Sequence, residues 1–90
     1  MINQQKIIFL GRVQGIGFRY TALKLARELN LKGYVKNFAD SSVELVAQGD
    51  EKIISNLVEK LRDSFSSEIE NVKIIDQKPK SKFKDFQIEF

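Results

Sequence analysis

An α+β fold, an antiparallel sheet with two helices on one of its faces, is predicted by three features of this chain. Two stretches repeat apolar residues at helical spacing, and several shorter ones alternate them at strand spacing. The two kinds follow one another as strand, helix, strand, strand, helix, strand, with a short extra strand at the end. Lys6 to Val13 reads as the first strand. Ile7 and Phe9 fall on one face and Ile8 and Leu10 on the other, so the strand is central or covered on both sides. Next comes a loop with glycines at 11, 15 and 17, then a helix from Phe18 to Leu29 with an apolar stripe of Phe18, Ala22, Leu25, Ala26 and Leu29. Asn30 suits a left-handed helix end, and Leu31 behind it supplies the usual apolar contact.

Gly33 to Phe38 and Ser42 to Gln48 form a predicted hairpin around Ala39-Asp40-Ser41. Asp50 is a good N-cap for a second helix, with Ile53, Ile54, Leu57, Val58 and Leu61 on its inner stripe and an end near Asp63 or Ser64. Residues 64–67 read as a loop, Val72 to Gln77 as the fourth strand, residues 78–82 as an exposed connection, and Phe86, Ile88 and Phe90 as a short last strand. This is the ferredoxin-like, split βαβ plan: four main antiparallel strands plus a short terminal one. It leaves the glycine loop at the carboxyl end of the first strand, where the first helix begins.

The chain of 90 residues is expected to form a single domain, 1–90, with one core. Its longest apolar run, residues 7–10, is far short of the roughly 20 residues that span a membrane. The first six residues lack the charged-then-apolar layout of a secretory signal, so a cytoplasmic location is expected, with no membrane partner. The chain has no cysteine and no histidine, which removes thiolate chemistry and the commonest proton shuttle and metal ligand. Carboxylate or lysine chemistry remains, or catalysis by positioning with water as the nucleophile. The net charge of +3 lies in the first half: residues 1–50 hold seven basic and four acidic side chains, residues 51–90 eight of each. A basic field around the glycine loop suits a small anionic substrate, or nucleic acid.

Gly11-Arg12-Val13-Gln14-Gly15-Ile16-Gly17-Phe18-Arg19 is an oxyanion loop in outline: closely spaced glycines, a helix start and a fixed guanidinium. The dinucleotide fingerprint fails because Tyr20 stands where its third glycine belongs. A Walker loop fails at Ile16 and lacks the Lys-Ser or Lys-Thr pair. A cysteine phosphatase loop would place its nucleophile six residues before Arg19, where Val13 stands. The outline therefore describes a cradle in which backbone N–H groups of Gln14, Gly15, Ile16, Gly17, Phe18 and Arg19, with the Arg19 guanidinium, hold a phosphoryl group while water attacks it.

Residues 11–19 resemble the signature Gly-Arg-Val-Gln-Gly-Val-Gly-Phe-Arg of the acylphosphatase family, with Ile16 in place of valine. Gly33-Tyr34-Val35-Lys36-Asn37 resembles its second signature, and residues 43–49 and 86–88 also fit, so the likeness spans nearly the whole chain. The resemblance implies the ferredoxin-like fold already inferred. It also implies hydrolysis of the carboxyl–phosphate bond of small acyl phosphates without metal or other cofactor. By residue match, Arg19 would hold the phosphoryl group and Asn37 would orient the attacking water, with inorganic phosphate as product and inhibitor and a monomer as the working unit. Three residues depart from the pattern: Ile16 at a loop position expected to be packed, Lys36 for arginine, and Ser41 for glycine in the hairpin turn, where a left-handed backbone would be strained. An RNA-binding α/β plait shares the strand order, but its aromatic-rich strand motif is missing; an inactive acylphosphatase-like domain is the other alternative.

Overall fold

The computed structural model describes residues 2–79 and 83–90. In chain order its elements are β1 (Asn3–Gly11), α1 (Phe18–Glu28), β2 (Lys32–Asn37), β3 (Val43–Gly49), α2 (Glu51–Ser64), β4 (Ile69–Gln77) and β5 (Phe86–Glu89). They make one five-stranded sheet in the order β4-β1-β3-β2-β5. The four main strands are antiparallel to their neighbours, and β5 extends the sheet by lying parallel to β2. β1 and β2 run the same way with β3 between them, which is the split βαβ arrangement expected.

Register explains the core. Ile7 pairs with Leu45 and Phe9 with Val43; across the next ladder Val35 pairs with Leu45, and across the last Gly33 pairs with Phe86. These residues share one sheet face and pack against Phe18, Ala22 and Ala26 of α1 and Ile54, Leu57, Val58 and Leu61 of α2, all buried. Residues two apart on a strand share a face, so the apolar alternation dictates which side the helices cover. The Phe18 ring fixes the start of α1, with its centroid 4.9 Å from Phe9 and 4.9 Å from Phe65.

β1 is central, as its two-faced apolar pattern suggested, yet its second face stays open and Ile8 and Leu10 are only half-buried. That open face is lined by polar pairs: Gln4 Nε2 donates to Gln77 at 2.7 Å, Gln48 Nε2 to Gln4 at 2.7 Å, and Tyr34 Oη to Glu44 at 2.7 Å. The glutamine ladder carries β1 back to Asn3, before the apolar alternation begins. β4 likewise starts at Ile69, ahead of Val72, because it pairs along β1 up to Gly11. Residues 80–82 of the expected exposed connection lie outside the described residues.

Candidate active site

The glycine loop leaves β1 and enters α1 through a left-handed turn. Gly15 has φ 76° and Gly17 has φ 81°, although a Cβ at either position would meet nothing within 4 Å. Conformation, not crowding, demands glycine here. Gly17 is the N-cap residue of α1 and brings no side chain to cap it, and the first turn holds no acidic residue. The first N–H groups of a helix have no acceptor within it, so they are left aimed at the space in front.

Arg19 and Asn37 meet at that space. A concavity of about 200 Å³ is lined by Val13, Gly15, Gly17, Phe18, Arg19, Tyr20 and Asn37. Asn37 closes β2 on the same sheet face as Val35, which brings its carboxamide to the start of α1. Its Oδ1 is buried and has no hydrogen-bond partner among the described residues. An orphaned buried acceptor costs on the order of 1–3 kcal/mol, and a molecule entering the concavity with an N–H or O–H donor would recover that loss. The Arg19 guanidinium carbon lies 5.0 Å from the centroid of the Phe90 ring, and no carboxylate among the described residues pairs with it.

Gln14 and Ile16 line a neighbouring hollow with Gly11, Arg12, Ser41 and Glu68 instead. The Gln14 side chain spends both N–H donors on the hairpin, giving 2.8 Å bonds to the carbonyls of Phe38 and Ser42. The loop is thus tied to the strand that ends in Asn37. No periodicity marks such a bond between residues more than twenty positions apart. Ile16 is 41% exposed rather than packed, at the rim of that hollow. Ser41 does take the left-handed conformation, with φ 77°. The turn around it is held by Asp40, whose carboxylate accepts from the Ser42 hydroxyl at 2.6 Å and the Ser42 N–H at 3.0 Å. Those two bonds hold the Asp40 carboxyl below its usual range. Tyr20 and Phe90 beside the cradle carry no periodic signal of function, since each would serve equally as a surface aromatic.

Fold and loop together define a ferredoxin-like domain with a glycine-rich turn open at the start of its first helix. The acylphosphatase family model matches residues 5–88, and the chain belongs to that family of hydrolases acting on acyl phosphates. It is 42% identical over 83 residues to an acylphosphatase of Picrophilus torridus, covering 92% of this chain and 98% of that protein. The crystal structure of an acylphosphatase from Bacillus subtilis superposes with a TM-score of 0.90 at 34% identity, over 100% of both chains. An acylphosphatase from Coxiella burnetii gives a TM-score of 0.85 at 31% identity, over 98% of this chain and 93% of that one. The family match displaces the RNA-binding alternative.

Proposed function

We propose that Arg19 and Asn37 carry the hydrolysis, Arg19 by gripping the phosphoryl group and Asn37 by orienting the water. The observation that supports this most is the unpartnered, buried Oδ1 of Asn37 in the same concavity as Arg19 and the two left-handed glycines. A water donating one O–H to that oxygen has its own lone pair free for phosphorus. The backbone N–H groups of Gln14 to Arg19 and the guanidinium hold the phosphoryl oxygens, stabilising charge that spreads over them in a loose transition state.

The bond balance needs no further residue. The water oxygen bonds to phosphorus, the bond between phosphorus and the acyl oxygen breaks, and its electron pair leaves on the carboxylate. A phosphoryl oxygen takes the water's proton. A carboxylate with a free-acid pKa of about 4 leaves without a general acid, which suits a chain with no histidine. In this reading the substrate is a small acyl phosphate, inorganic phosphate is both product and competitive inhibitor, and nucleic acid has no part. The working unit is a cytoplasmic monomer built on one domain, 1–90; no helix among the described residues is long and apolar enough to cross a membrane.

Hydrolysis of benzoyl phosphate tests the assignment. Arg19→Gln is expected to lower kcat/KM by about 10³-fold and Asn37→Ala by about 10²-fold. Wild-type rates in both variants would remove the assignment. Asn37→Ala carries a second expectation, a thermal midpoint equal to or above wild type, because it deletes an unsatisfied buried oxygen.

A further inference from the structure

We propose that the hollow beside the cradle receives the acyl half of the substrate and fits an amino acid phosphorylated on its side-chain carboxyl, with Arg12 taking its free carboxylate and Glu68 its ammonium group. This rests on the reading of the cradle as the phosphoryl site. The hollow, of about 660 Å³, is lined by Gly11, Arg12, Gln14, Ile16, Ser41 and Glu68. Its two ionised side chains carry opposite charges, yet no carboxylate among the described residues pairs with Arg12 and no cation pairs with Glu68. Opposite charges that line one space without meeting leave room for a ligand with the inverse pair.

The backbone fixes where these two side chains start. The Arg12 N–H donates to the Glu68 carbonyl at 2.9 Å, and a Cβ at Gly11 would lie 2.2 Å from that same oxygen, so the end of β1 and the residue before β4 are pressed together there. The glycine loop is the wall between hollow and concavity: Gln14 and Ile16 line the one, Gly15 and Gly17 the other. A Cβ at Gly15 or Gly17 would meet nothing within 4 Å, so nothing stands over that wall. A phosphoryl group held by the loop N–H groups therefore has a path for its acyl chain into the hollow, past Ile16, whose 41% exposed side chain offers methylene groups an apolar edge. Ser41, left-handed at φ 77°, adds a hydroxyl to the lining. Hydrolysis releases inorganic phosphate and the amino acid with its side-chain carboxylate restored. An uncharged acyl group would gain nothing from Arg12 or Glu68.

The test is hydrolysis by the full chain of four acyl phosphates that share one acyl skeleton: β-aspartyl phosphate, succinyl phosphate, which lacks the ammonium, β-alanyl phosphate, which lacks the carboxylate, and propionyl phosphate, which lacks both. Solvent screens exposed charges, so β-aspartyl phosphate is expected to exceed succinyl phosphate, and to exceed β-alanyl phosphate, by about fivefold each in kcat/KM. Arg12→Gln should abolish the advantage over β-alanyl phosphate and keep that over succinyl phosphate; Glu68→Gln should do the reverse. Ratios of kcat/KM within one preparation cancel any change in the folded fraction, and the wild-type series needs no variant at all. Equal kcat/KM for β-aspartyl and propionyl phosphates in the wild type overturns the proposal, as do ratios that neither substitution moves. Wild-type hydrolysis of all four substrates by Arg19→Gln overturns instead the reading beneath it, whatever the ratios are.

Discussion

The two helices of this fold begin in opposite ways. α2 is closed by its own chain: the Asp50 carboxylate accepts from the Lys52 N–H at 2.8 Å, and Glu51 adds negative charge to the first turn. α1 starts at a left-handed glycine with no capping side chain and no acid, and places Arg19 where a cation is electrostatically unwelcome. Built only for stability, both ends would look like α2. The contrast accords with the proposed cradle, in which an anion with oxygens to accept several N–H bonds would supply the cap that α1 lacks.

The contrast is sharpened most by supplying that anion. Inorganic phosphate at about a hundred times its dissociation constant is expected to stabilise the fold by about 2.7 kcal/mol, read as a rise in thermal midpoint. The rise should vanish in Arg19→Gln and survive in Asp50→Ala; equal shifts in both variants would mean that the open terminus is not where phosphate binds. Next in size is Gly17→Ala, which forces a Cβ into a left-handed conformation at a cost of about 1–2 kcal/mol, with a fall in activity as the turn relaxes. A Gly17→Ala enzyme as stable and active as wild type would show that the conformation is not required. Asp50→Ala is expected to cost about 1 kcal/mol, lowering the thermal midpoint by about 4–8 °C, while benzoyl phosphate turnover is unchanged.

The smallest effect concerns the hairpin to which the open terminus is tied. The Asp40 carboxyl is held low by the Ser42 hydroxyl and N–H, so it titrates below its unfolded value near about 4. Its contribution to stability is present above that value and fades as pH falls through the folded one. Urea midpoints between about pH 5 and about pH 2 should therefore fall further for wild type than for Asp40→Asn. Parallel curves would remove Asp40 from the account.

Much of this was legible in the sequence because it is local. The stripes of α1 and α2, the Asp50 cap and the left-handed Asn30 with φ 57° follow from residue type and near spacing, while the left-handed Ser41 was flagged only as a departure from the family's glycine. The two signatures pointed to residues 14–19 and Asn37; the structure lines one concavity with Gly15, Gly17, Phe18, Arg19 and Asn37, while Gln14 and Ile16 line the neighbouring hollow. What the sequence left hidden is decided by distant partners. Asn3–Gln5 and Ile69–Asn71 are strand because Asn3 pairs with Gly49 of β3 and Gln4, Gln5, Ile69 and Asn71 pair between β1 and β4, and a row of glutamines has no strand signal of its own. The parallel course of β5, and with it the place of Phe90 on Arg19, comes from the sheet edge rather than from any local pattern. Ile16 looked packed because it is apolar, yet it is 41% exposed.

The Gln14 carboxamide, bonded to both Phe38 and Ser42, has a consequence for heat. A glycine-rich loop is ordinarily the softest part of a small domain, free to wander while the core stays intact. Here one side chain ties the glycine loop to the turn that follows the strand end carrying Asn37. Warming that frays the Phe38–Ser42 turn is therefore expected to loosen the glycine loop with it, before the core opens.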